Sequence, residues 1–170
     1  STIGVTAGKW YAEVKCTGSQ TSGFFAGVVP MELAIGDAAG GGSATGGGVE
    51  FGDSKILSNG SQVASSLTAI SQNDIIGIAL NMDDTEVKFY LNNAVQNSGT
   101  ASSLPSGGFW CFSTSDFSSA GATEASMNFG NPTYANSSDA ADANGYGAFE
   151  YAPPSGFLAL CTKNLGSTGG

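Results

Sequence analysis

The chain has 170 residues, 41% hydrophobic and 10% aromatic, but only 11% charged, against the ~25% usual for globular proteins. Five lysines, with no arginine and no histidine, face fourteen acids for a net charge of −9. That balance excludes the basic footprint that nucleic acids or an anionic membrane surface require. Without histidine there is no Ser-His-Asp triad and no histidine-ligated zinc; without arginine there is no bidentate clamp on phosphate. No apolar run approaches the ~20 residues of a membrane helix, so no membrane insertion is expected. The length suits one domain with a sizeable core. A chain that opens on Ser1 is expected to be processed or trimmed.

The dominant period is two. Trp10, Ala12, Val14 and Cys16 share one face of a first strand, with Tyr11, Glu13 and Lys15 opposite, which predicts a half-buried antiparallel strand. Phe24–Val29 is apolar throughout and stops at Pro30, as a strand buried on both faces does. Gly36–Gly48 reads as a flexible glycine-rich surface loop, after which a strand resumes near Val49–Phe51. Asn59-Gly60 predicts a tight turn. Ile75–Leu80, a polar turn at Asn81–Thr85 and Glu86–Leu91 predict a hairpin, with Val87, Phe89 and Leu91 inward and the first strand the more central. Further strands are expected at Phe109–Ser113, Ala125–Gly130 and Phe157–Cys161, and no convincing helix anywhere.

Recurrent short strands with turn signals between them predict an all-β fold: a single antiparallel two-sheet β-sandwich. The expected layout is a sandwich over 1–135, an extension over 136–165 packing on or completing it, and a flexible tail over 166–170. Cys16, Cys111 and Cys161 form no CxxC site or disulfide framework; the first two read as small core residues, and one disulfide with a free thiol stays open.

Several segments resemble the SPRY family. Gly8–Val14 is similar to its opening G-K-W-Y-x-E-V, Phe25–Val28 to the x-x-G-V strand, and Asn73–Leu80 to G-D-x-I-G-V-A-x-D. Lys88–Asn93 resembles F-Y-x-N-G, and Met127–Gly130 resembles v-N-F-G; the motifs keep the family's order over about 8 to 135. The resemblance implies a concanavalin-like jelly roll that recognises surfaces and has no catalytic centre. Asn73 and Asn93 stand where the family often has glycine, and asparagine is the next most tolerant of a left-handed backbone. The segment Gly145–Leu165 looks like the tail of SPRY-containing proteins from bacteriophage genomes. That implies a virion protein in many copies, contacting other virion proteins or a host-surface glycan. An intracellular interaction module and a carbohydrate-active enzyme are the alternatives.

Chemistry is sparse. Gly4–Trp10 is one residue short of a phosphate loop and has Trp where Ser or Thr must bind magnesium. No E-x-D-x-E pattern supplies paired carboxylates, so Glu13, Glu50, Glu86, Glu124 and Glu150 read as solvated surface groups; only Glu86 has an acid two or four residues away, Asp84, and Glu50 with Asp53, three apart, would face opposite sides of a strand. Asp83-Asp84 at a hairpin tip, and Asp37 with Asp53 flanking the glycine loop, could offer oxygens to calcium but make no cage. Trp10, Phe24, Phe89, Phe112 and Phe129 read as core, whereas Tyr134, Tyr146 and Tyr151 lie in polar or proline-rich loops suited to contact. The candidate ligand-binding residues are therefore Asp37, Asp53, Asp83, Asp84, Tyr134 and Tyr146, with no catalytic residue, metal or cofactor expected.

Overall fold

The computed structural model describes residues 3–19, 21–32, 47–105, 108–116 and 123–168. Asp37 and most of the predicted glycine loop lie outside them. The strands are β1 (Lys9–Cys16), β2 (Phe24–Pro30), β3 (Val49–Gly52), β4 (Lys55–Ser58), β5 (Ser61–Ala64) and β6 (Ile75–Asn81). They continue with β7 (Glu86–Leu91), β8 (Ala94–Val95), β9 (Ser102–Ser103), β10 (Trp110–Asp116), β11 (Ala125–Asn128) and β12 (Leu158–Ala159), followed by a short helix α1 (Thr162–Thr168).

Two sheets form. One runs β11-β1-β6-β7-β8, with β12 also on β1 and β9 also on β7; the other runs β10-β2-β3-β4-β5. Every pairing is antiparallel except β12 on β1. Between the sheets lies one core, holding Trp10, Val14, Phe24, Phe51, Ile78, Phe89 and Phe112, all 3% exposed or less. Burial of such side chains stabilises by roughly 1.5–3 kcal/mol each, which is why the period-two pattern decides the fold.

Local chemistry explains the turns. Asp53-Ser54, Asn59-Gly60 and Asn92-Asn93 all have positive φ at both positions, the backbone of two-residue hairpins whose twist matches the strands. Asn73 and Asn93, where the motif often has glycine, adopt φ of 71° and 68°. β6 is buried along its whole length, while β7 alternates with Val87, Phe89 and Leu91 inward, as the hairpin reading expects.

Three expectations change. The β1 face carrying Tyr11 and Glu13 is buried, at 2% and 0% exposure, because residues 140–159 cover it. The last strand is only Leu158–Ala159, since the chain leaves β1 after two paired residues and turns into α1, which the strand pattern gave no sign of. β10 begins at Trp110; Phe109, read as its first residue, is 55% exposed.

Candidate functional site

The outer face of the first sheet starts from the register β1-β6-β7. Glu13 lies opposite Gly77, which lies opposite Tyr90; Tyr11, Ala79 and Lys88 form the next row; Lys9, Asn81 and Glu86 form the third. A Cβ at Gly77 would sit 2.6 Å from the Tyr11 hydroxyl, so any larger residue there would force the Tyr11 ring to shift. A mid-strand glycine marks such a close approach.

A C-terminal strap crosses this face. Its backbone amides at Glu150 and Tyr151 donate to the two oxygens of Glu13, at 2.9 and 2.8 Å. The Asn128 side-chain amide and the Tyr11 hydroxyl donate to the same carboxylate, at 3.2 and 3.4 Å. Burial pushes the Glu13 carboxyl above its ordinary value, while the amides of Tyr151, Glu150 and Asn128 pull the other way. Phe149 packs edge-on against Tyr11, with ring centroids 5.2 Å apart. Asp142 ties the strap's far end: it accepts the backbone amides of Ala159, Asn144 and Tyr146 and the Asn164 side-chain amide. Burial works against that charge, but those donors more than offset it, so Asp142 stays below the usual carboxylate range.

The second sheet holds a different carboxylate. Glu50 lies on the outer face of β3, opposite Gly27 of β2, which lies opposite Ser113 of β10. Gly27 leaves the path open, since a Cβ there would meet Glu50 Cγ at 2.9 Å. Glu50 therefore reaches over β2 to accept hydrogen bonds from the Ser113 and Ser115 hydroxyls, at 3.4 and 3.2 Å. It is 0% exposed, and burial pushes its pKa up to about 7, against the lowering effect of the two serines. The expectation that Glu13 and Glu50 are solvated fails because the C-terminal strap covers Glu13 and because Gly27 lets Glu50 lie across β2; Gly77 and Gly27 are the middle members of their rows. Those two glycines were the available signal.

The predicted contact residues do not form one site. Asp53 caps the β3–β4 turn, accepting the Gly23 amide at 2.9 Å and facing Lys55 Nζ at 3.9 Å. Asp83 accepts the Gly8 amide at 2.7 Å, and Asp84 accepts the Asn81 side-chain amide at 2.7 Å, so both lock the β6–β7 turn. Tyr134 is half-buried beneath Lys15, whose Nζ stands 5.1 Å from the ring centroid. Burial, then the charge of Glu13, pushes its hydroxyl pKa up. Tyr146 is half-buried under Lys163, 4.9 Å from its ring. Among the described residues, no group of three or more Cys, Asp or Glu is arranged to hold a metal ion. No described helix is long and apolar enough to cross a membrane.

Comparison with solved structures settles the architecture. The crystal structure of the SPRY domain of human HERC1 superposes with a TM-score of 0.61, over 74% of this chain and 77% of that one, at 16% identity. The fold is that of a SPRY domain. No protein-family model matches the chain, and no curated protein does either. In SPRY terms, the opening Gly8–Val14 motif is β1 with its lead-in, where Trp10 Nε1 donates to the Ala7 carbonyl at 2.7 Å. The Asn73–Leu80 motif is β6, and the Met127–Gly130 motif ends β11, where Asn128 meets Glu13.

Proposed function

We propose that the chain is a non-enzymatic recognition module of a bacteriophage particle, acting through surface contact with virion proteins or a host-surface glycan. The observation that carries the non-enzymatic part is the separation of the two fully buried glutamates. Glu13 and Glu50 lie on the outer faces of different sheets, and each is occupied by structural hydrogen bonds. Glycoside hydrolysis needs two carboxyl groups flanking one bond, about 5–10 Å apart. The SPRY fold supports a recognition role, with a rigid frame presenting loops. Contacts are assigned to the exposed tips at Asp53, Asp83 and Asp84 and to the strap around Tyr134 and Tyr146. The virion setting is supported by the resemblance of Gly145–Leu165 to phage-encoded tails. Many copies on one particle turn weak contacts into attachment.

Imaging of purified particles tests this. The expected result is the chain in multiple copies on the particle surface. Absence from particles, together with tight binding of a linear peptide, would replace the virion reading with that of an intracellular interaction module. Release of reducing sugar from a glycan would overturn the non-enzymatic part.

A further inference from the structure

A groove of about 320 Å³ opens on the outer face of the first sheet, beside the strap. Its floor is Ala79, low because its side chain is a single methyl. Lys9 and Glu86 border one end, Tyr90 lies toward the other, Lys88 stands on the β7 side, and Phe157 with Pro154 forms the strap-side wall. The volume suits a small ligand rather than a crossing chain segment.

The cations single this groove out. Of the five lysines, Lys15, Lys55 and Lys163 each lie over an aromatic ring, of Tyr134, Phe25 and Tyr146. The remaining two, Lys9 and Lys88, both line the groove, and neither forms an ion pair with an acid among the described residues. Their strands flank β6, so about 10 Å separates them across the sheet, with an offset of two residues along it, and they border the recess from either side of Ala79. Glu86 and Asp84 line the recess as well, so its formal charge balances, but neither acid lies within ion-pair distance of Lys9 or Lys88, and two lysines left without an ion pair in one recess point to an anion.

The other walls define what the anion is attached to. Tyr90 and Phe157 offer half-buried rings packed beside Ala79, suited to the C–H face of a saturated ring. Glu86 lines the same recess and accepts hydroxyl donors, whereas it repels a purely acidic ligand. Asp84 is already held by Asn81. We infer that this groove binds a carboxylated pyranose, with the carboxylate between Lys9 and Lys88, a hydroxyl on Glu86, and the ring against Tyr90 and Phe157. The inference rests on the recognition reading and gives its glycan a chemical class and a place.

Amide-resolved NMR titration of the whole chain tests it, with methyl glucuronide, methyl glucoside and N-acetylglutamate amide as probes. Methyl glucuronide is expected to give saturable shifts confined to β1, β6, β7 and residues 154–157. The neutral glucoside is expected to bind at least ten-fold more weakly, and the glutamate amide not to saturate. The double variant Lys9→Gln, Lys88→Gln is expected to lose binding at least ten-fold with an unchanged melting temperature, since both side chains are half-exposed. Phe157→Leu, which keeps the wall apolar without a ring, is expected to weaken binding several-fold. No saturable shift, shifts elsewhere, equal binding of the glucoside or the glutamate amide, or an unaffected lysine variant would each overturn the site while leaving the recognition reading in place. Saturation accompanied by hydrolysis of the glucuronide would uphold the site and overturn the non-enzymatic reading.

Discussion

Glu13 and Glu50 occupy corresponding places on the two sheets. Each is fully buried on an outer face, and each is flanked by a glycine on the neighbouring strand. Their partners differ. Glu13 meets two backbone amides that have no other role than to donate, so its charge anchors the strap. Glu50 meets two serine hydroxyls, which rotate and can equally accept. Burial raises both carboxyls and neither has a cation among its hydrogen-bond partners, but Glu13 is met by amides that can only donate, whereas the serines that meet Glu50 can turn. Burial alone does not give a carboxylate its role, because the type of donor decides whether the charged form is supported.

The largest effect is expected on the Glu13 side. Phe149→Ala removes the strap's fully buried ring from Tyr11 and should cost about 3–5 kcal/mol, read by chemical denaturation. Hydrogen exchange should show residues 140–159 opening first; loss of protection at β3 and β10 instead would break the contrast.

Glu50→Gln should stabilise. The folded carboxyl titrates near 7 against an ordinary 4.5, so the folded state holds its proton more tightly than the unfolded chain. The stability this contributes is complete below pH 4.5 and is lost as pH rises through 7, a difference of about 3 kcal/mol for a shift of this size. The glutamine variant should match the parent at pH 4 and exceed it at pH 8. A parallel pH profile for the two proteins would show that Glu50 is not the titrating group.

The same substitution at Glu13 should act in the opposite sense. Both of its oxygens accept a backbone amide, so glutamine must turn its NH₂ against one of them. Glu13→Gln should therefore destabilise by about 2 kcal/mol at pH 7, measured by denaturant midpoint. A gain in stability would refute the anchor. The smallest effect is expected away from both sites: Asp83→Ala with Asp84→Ala removes one exposed and one part-buried turn bond and should cost about 1 kcal/mol.

Much of this architecture was written locally. The alternation in Glu86–Leu91 names its own inward face, and Phe24–Val29 announces a strand covered on both sides. Asn59-Gly60 and Asn92-Asn93 specify hairpins through the backbone conformations they tolerate. The polar sites were not legible in the same way. Tyr11, Glu13 and Lys15 alternate as a solvated face would, and only the strap turns two of the three inward. Apart from Tyr11, the donors to Glu13 lie 115 to 138 residues further on, and those to Glu50 lie 63 and 65 residues away. The groove likewise joins Lys9, Lys88 and Phe157 from three distant segments.

By itself, then, the order of residues determined the sandwich, its central hairpin and its tight turns, because steric preference and period-two burial act over a few neighbours. Tertiary structure alone decided which glutamates lose water, which donors meet them, and which lysines border one groove. A side chain's solvation depends on whatever packs over it, and here that covering comes from remote parts of the chain.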